Sequence, residues 1–215
     1  MPNLVLSRNE QPNDIQPQDF IQTVAQALYG NHQNQAVNCV GVMIQAGKTI
    51  TSPQNWTRTA FGGHVSLFII ENNQLSSWDE IADNQNNCWL QTVNNDVLQH
   101  HASLMKSSNS NDVTCYMHHA NAEQIAAVRQ RAEDLANPNH HHNYSHWPRL
   151  GEDNTHGDCV SMTAWVMQAF SYSTKISGAT TPWMESLKYE AYVNPLNFFS
   201  KWYKVKYEGR KLAVM

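Results

Sequence analysis

Apolar residues along the chain follow the period of a helix in some stretches and the period of a strand in others. Residues 18–30 (QDFIQTVAQALYG) place apolar side chains three and four positions apart, which predicts a helix that ends at Gly30. Residues 121–138 show the same spacing more clearly. Asn121 and Gln124 predict a capping box at the start of this second helix.

Between these two helices the apolar residues follow the period of a strand. Residues 64–80 (HVSLFIIENNQLSSWDE) predict a hairpin whose turn is the polar segment ENNQ. Further candidate strands are residues 36–47, 87–93 and 113–119.

A long polar segment, residues 137–157, precedes a third helical pattern. Loops of this length are uncommon in compact domains and are often functional. In the third pattern Asp158 is a natural N-cap and Cys159 begins the helix. The tail predicts two more short helices. This order of elements predicts one α+β domain over residues 1–215, with its strands in the middle and a C-terminal helical extension over residues 171–215.

Composition excludes several classes of function. The net charge is -4 and basic residues are spread along the chain, so we expect no nucleic-acid partner. The longest apolar run, VSLFII, is too short to span a membrane. The chain has no basic start followed by an apolar block, so we expect a cytoplasmic protein, or one exported without a cleavable signal peptide. No phosphate-binding glycine motif is present, and we expect no cofactor.

The cysteines are candidates for chemistry because they are widely spaced and form no C-x-x-C pair, which favours free thiols over disulfides. Cys159 lies at the predicted start of a helix, where the macrodipole and backbone N–H groups favour the thiolate. The carboxylate of Asp158 opposes this effect. The alternative for Cys159 is a small buried hydrophobic residue.

A thiol nucleophile needs a base within hydrogen-bonding reach, and histidine is the usual one. His64 stands at the mouth of a buried strand, after two glycines that allow close approach of a substrate. His156, three residues before Cys159, is a rival base.

The motifs GGHVSLFI, LSSW and GDCVSMTAWVM, in this order, resemble the circularly permuted NlpC-like branch of the papain-like cysteine enzymes. Lecithin retinol acyltransferases and PPPDE isopeptidases belong to this branch, in which the histidine strand precedes the cysteine helix. The resemblance covers residues 60–170. It implies a permuted papain-like α+β fold with antiparallel strands packed on the cysteine helix, and it implies Cys159 as nucleophile and His64 as base.

The family also implies a third polar residue, on the partner strand, that orients the histidine. Counting along the hairpin places it at Ser76 or Ser77, of which Ser77 is the first choice. Glu71 and Asp79 are the alternative carboxylates.

The resemblance implies a thiol hydrolase or acyltransferase that acts on an amide, isopeptide or ester bond of a protein, peptide or lipid-ester substrate. A bacterial effector fits the asparagine- and glutamine-rich composition and the missing signal peptide. One alternative is a catalytically inactive papain-like binding module. Another is a metal-binding histidine loop, although we expect no metal; its candidate ligands are His140, His141, His142 and His146.

Overall fold

The computed structural model describes residues 5–8, 15–30, 35–46, 63–82, 85, 87–93, 112–137, 142–144, 156–170, 189–190, 193 and 202–208. The fold of this part is α+β. Its helices are α1 (Pro17–Tyr29), α2 (Ala122–Leu135) and α3 (Cys159–Met167). Its strands are β1 (Val5–Arg8), β2 (Cys39–Ala46), β3 (Gly63–Glu71), β4 (Gln74–Ala82), β5 (Asn87–Thr92), β6 (Asp112–His119), β7 (His142–Tyr144), β8 (His156–Gly157) and β9 (Trp202–Glu208).

All nine described strands form one sheet in the order β1-β9-β6-β2-β3-β4-β5-β7-β8. Within the run of six strands from β9 to β5, each pair of neighbours is antiparallel. Parallel pairs occur at the two edges, where β1 joins β9 and β7 joins β8. The strands predicted in the middle of the chain therefore form the middle of the sheet.

Helices cover both faces of the sheet and bury two hydrophobic clusters. Side chains alternate along a strand, so Val65, Leu67 and Ile69 of β3 pack beneath α2 and α3. Phe68 and Ile70 of the same strand pack with α1 on the other face.

The hairpin of β3 and β4 has a two-residue turn. Asn72 and Asn73 both have positive φ, as a type I′ turn requires. Residue pairing runs from Glu71 opposite Gln74 down to Leu67 opposite Trp78 and ends there. Below this point β3 stays paired with β2, and β4 stays paired with β5. The two strands therefore separate, and we call the space between residues 64–66 and 79–81 the strand opening.

The three strongest helix predictions are confirmed. The capping box of α2 forms as expected: Asn121 Oδ1 accepts from the Gln124 N–H at 2.8 Å, and Gln124 Oε1 accepts from the Asn121 N–H at 3.0 Å. The hairpin and the strands at 36–47, 87–93 and 113–119 are also present.

The prediction of a C-terminal helical extension is wrong at residues 202–208, which form β9 inside the main sheet. Trp202, Val205 and Tyr207 are buried there because β9 pairs with β6 on one side and β1 on the other. The segment predicted as a continuous loop, residues 137–157, contributes the short strands β7 and β8.

In the part of the chain that the structure describes, none of the helices combines the length and the apolar character that crossing a membrane requires.

Candidate functional site

The first turn of α3 is fixed by its own side chains. Asp158 Oδ1 accepts from the Ser161 N–H at 2.7 Å, and the Asp158 N–H donates to Ser161 Oγ at 2.9 Å. This capping box confirms Asp158 as the N-cap and Cys159 as the first residue of the helix. The Ser161 and Met162 amides bond to Asp158, so the amides of Cys159 and Val160 are the first-turn donors that have no intrahelical acceptor.

The chain before α3 contacts strand β5 at Gly157. A Cβ at this position would come within 2.8 Å of Met162 Cε and 3.4 Å of Cys88 Sγ. The Cys88 thiol donates to the Gly157 carbonyl oxygen at 3.3 Å. Contact with β5 therefore fixes where α3 begins.

This start places the Cys159 thiol at the strand opening. The Val65 N–H of β3 forms a hydrogen bond with the sulfur. The carboxylates of Asp158, Glu80 and Asp79 are close enough to act on the thiol electrostatically. Cys159 as a residue is half-buried, whereas Cys39, Cys88 and Cys115 are buried.

The surroundings of this thiol favour its protonated form. Burial is the main cause that raises the pKa of the Cys159 thiol well above its ordinary value. The negative charges of Asp158 and Glu80 raise the pKa further, and the Val65 N–H offsets only part of the effect. Asp158 therefore opposes the thiolate, as expected from the sequence.

His64 contacts a carboxylate across the strand opening. Its Nε2 is hydrogen-bonded to Asp79 Oδ1, and the Ser66 hydroxyl donates to the same oxygen at 3.0 Å. Asp79 and Ser66 are both fully buried, and His64 is only 9% exposed. A buried carboxylate is stable only when donors or cations surround it, so the imidazole and the hydroxyl stabilise Asp79 in this position.

Ser77 is not the residue that meets His64, and the first choice from the sequence is corrected to Asp79. Ser77 lies opposite Phe68, four residues along β3 from His64, which is roughly 13 Å at about 3.3 Å per residue. Its buried hydroxyl has no hydrogen-bond partner in the described chain. Ser76 contacts the guanidinium of Arg129 instead, at 3.3 Å.

The thiol and the imidazole reach the strand opening from different sides of the sheet. Val65 packs beneath α3, and the preceding residue, His64, leaves β3 on the opposite face. The thiol lies at the main chain of Val65, and the imidazole bonds to Asp79. The two groups are therefore linked through the main chain of residues 64 and 65, which carries the imidazole and contacts the thiol.

Most of the histidine-rich loop lies outside the part of the chain that the structure describes. His140, His141 and His146 lie outside the described residues, as do the side chains of His142 and His156. Among the side chains that the structure does describe, no group of three or more histidine, cysteine, aspartate or glutamate residues is arranged to hold a metal ion.

Sequence reasoning missed Ser66 and the Val65 amide, and it ranked Asp79 too low. The signal that finds Asp79 is the hairpin register. A two-residue turn at Asn72 and Asn73 pairs Glu71 with Gln74, and continuing that count places Ser66 opposite Asp79, one step diagonal from His64.

Comparison of the chain with protein-family models, with curated proteins and with solved structures gives no match.

Proposed function

We propose that the protein is a thiol hydrolase or acyltransferase of the permuted papain-like type, with Cys159 as nucleophile, His64 as base and Asp79 as the residue that positions the base. One observation carries this proposal: Asp79, which is hydrogen-bonded to His64, is close enough to the Cys159 thiol at the start of α3 to act on it electrostatically. The chain order, with the histidine strand before the cysteine helix, agrees with it.

The His64–Asp79 bond determines which imidazole nitrogen would act. An ionised carboxylate only accepts hydrogen bonds, so Nε2 carries the hydrogen and Nδ1 is the basic nitrogen. The thiol and the imidazole reach the strand opening from opposite faces of the sheet, so in this mechanism the Cys159 proton moves to Nδ1 through that opening. The proton moves as the sulfur forms a bond with the substrate carbonyl carbon. The first-turn amides of Cys159 and Val160 then stabilise the oxyanion.

The remaining steps return the enzyme to its starting form. Collapse of the tetrahedral intermediate breaks the C–N or C–O bond, and the leaving nitrogen or oxygen takes the proton from His64. Water, or an acceptor alcohol or amine, then gives a proton to His64 and attacks the thioester. Release of the acyl group breaks the C–S bond, and the sulfur takes the proton back from His64 to restore the thiol. The substrate class is an amide, isopeptide or ester of a protein, peptide or lipid.

The raised pKa of Cys159 shapes this mechanism. The thiol is neutral at physiological pH, so its proton must move to His64 during the attack and not before it. The same observation favours the second candidate function, a papain-like binding module without activity, since a buried protonated thiol is a poor nucleophile.

Acyl transfer from p-nitrophenyl acetate and cleavage of peptide aminomethylcoumarin amides distinguish these functions. We expect an acetyl group on Cys159 in intact-protein mass spectra, and no such adduct at that position in Cys159→Ala. His64→Ala and Asp79→Asn should acylate about 10²-fold more slowly, because they remove the base or its orientation.

Ser77→Ala is the matched control, because it removes a buried hydroxyl from the same strand as Asp79 without touching the pair. It should acylate at the wild-type rate. Equal acylation rates in wild type, His64→Ala and Asp79→Asn would mean that Cys159 reacts as an ordinary thiol, without help from His64 or Asp79. In that case the binding module would be the better description.

A further inference from the structure

We propose that Ser66 is a positioning residue of this site, which holds the Asp79 carboxylate in the orientation that His64 needs. The inference rests on the proposed function. The Ser66 hydroxyl donates at 3.0 Å to Asp79 Oδ1, and that same oxygen is hydrogen-bonded to His64 Nε2. Ser66 and Asp79 have no exposed surface, so bulk water does not replace either bond.

Ser66 stands where an apolar residue would be expected. It is the one polar residue between Val65 and Ile70, and the residue paired with it on β2 is Met43. A hydroxyl buried beside apolar residues costs free energy unless it is hydrogen-bonded. The Asp79 carboxylate accepts this bond, so the serine and the aspartate stabilise each other.

The bond also spans the strand opening, where backbone pairing has ended. Continuing the hairpin register places Ser66 directly opposite Asp79, yet pairing between β3 and β4 stops at Leu67 and Trp78. The side-chain bond takes over the role of the missing backbone ladder at this level. It therefore fixes the distance between the strand that carries His64 and the strand that carries Asp79.

The consequence for chemistry lies in the imidazole tautomer. With Asp79 Oδ1 fixed, the hydrogen of His64 stays on Nε2 and Nδ1 stays basic. Without the serine hydroxyl, the carboxylate can rotate about its terminal torsion and lose alignment with the ring. The neutral imidazole would then populate the other tautomer, whose Nδ1 carries a hydrogen and cannot accept one from the thiol.

The test compares Ser66→Ala with Ser77→Ala, two truncations of a fully buried serine in the same hairpin. The first readout is the ¹⁵N spectrum of the His64 imidazole in a Cys159→Ala background, assigned by comparison with a His64→Ala spectrum. We expect Ser66→Ala to shift His64 towards the Nδ1–H tautomer. Ser77→Ala should leave the spectrum as it is.

The second readout is the pH profile of acetyl transfer to Cys159. Ser66→Ala should lower the rate about tenfold to 10²-fold, as a misaligned base does, and Ser66→Thr should recover most of it because the hydroxyl is kept. An unchanged tautomer in Ser66→Ala would overturn the role of Ser66, whatever the rates.

The tautomer measurement does not depend on activity, so it separates the two proposals. If Ser66→Ala shifts the tautomer but His64→Ala acylates at the wild-type rate, the coupling of Ser66 to His64 stands and the thiol chemistry fails. If His64→Ala and Asp79→Asn slow acylation but Ser66→Ala changes neither readout, the thiol chemistry stands and the positioning role fails.

Discussion

Opposing effects act on the ionisation of one residue at this site, the Cys159 thiol. Its place at the start of α3 supplies a helix dipole and two first-turn amides, which favour a thiolate. Burial and the carboxylates of Asp158 and Glu80 act in the other direction and raise the pKa of the thiol. Desolvation is the largest of these causes, so the protonated thiol prevails in the resting protein.

The N-cap provides a test of this balance at one residue. Asp158→Asn keeps a side-chain oxygen that can accept from the Ser161 N–H and removes the negative charge. Because that charge raises the pKa of Cys159, the variant should lower the pKa and speed alkylation of Cys159 by iodoacetamide at about pH 8. Peptide mass mapping measures the rate at each cysteine.

Asp19→Asn makes the same chemical change on the exposed first turn of α1 and serves as the control. In this variant iodoacetamide should alkylate Cys159 at the wild-type rate. An Asp158→Asn protein that reacts no faster than this control would contradict the electrostatic role of the N-cap.

At the residue scale, the sequence predicts some residues of the candidate site but not their contacts. His64 and Cys159 could be chosen because their residue types at a strand end and a helix start carry recognised chemistry. Counting residues from His64 along the chain favours Ser77, whereas Asp79 is found only by counting from the two-residue turn at Asn72 and Asn73. The Val65 amide has no sequence signal at all, since every residue other than proline carries one.

At the scale of elements, local signals were reliable and long-range pairing was not. The helix at Ala122–Leu135 and the hairpin turn at Asn72 and Asn73 depend on residues within four positions of each other. Strand β9 depends on partners far away along the chain, β1 and β6, so its pattern alone did not separate a strand from a helix. The order of strands in the sheet was not predicted for the same reason, because it also depends on pairing between distant segments.

Gly41 tests how closely the central strands pack. It lies on β2 between β3 and β6, and a Cβ there would clash with the Phe68 ring and come within 2.6 Å of the Tyr116 carbonyl oxygen. Gly41→Ala should therefore lower the free energy of unfolding by roughly 1–3 kcal/mol, as overpacked cores do. Urea denaturation followed by circular dichroism measures this loss.

A double-mutant cycle with Phe68→Leu supplies the control. The smaller side chain should recover part of the loss in the Gly41→Ala background, because it relieves one of the two clashes. Strictly additive effects of the two substitutions would mean that the ring and the new methyl group do not meet.

At the scale of the whole molecule, the two faces of the sheet hold different kinds of groups. The face beneath α2 and α3 carries the candidate nucleophile at its margin. The face beneath α1 buries Cys39 and Cys115 completely, in contact with apolar residues. These two thiols have no part in the proposed chemistry, but they link the stability of the fold to pH.

Burial raises the pKa of Cys39 to about 12 and raises the pKa of Cys115 further. In the unfolded chain both thiols have a pKa of about 8.5. Above that pH the unfolded state has released protons that the folded state still holds, so stability falls as pH rises, until the folded pKa is reached. Each buried thiol should therefore cost about 1.4 kcal/mol per pH unit above roughly pH 9.

Urea denaturation at a series of pH values between about 8 and 10, with a reductant present, measures this slope. Cys115→Ala should be less stable than wild type at neutral pH, because it leaves a cavity. Its stability should nevertheless fall less steeply with pH, by the share of one thiol, since the alanine side chain has no proton to release in either state. Ser77→Ala is the matched control, because it truncates a buried side chain that does not ionise in this range and should keep the wild-type slope. Parallel slopes for wild type and Cys115→Ala would mean that Cys115 is accessible to solvent and ionises in the folded protein.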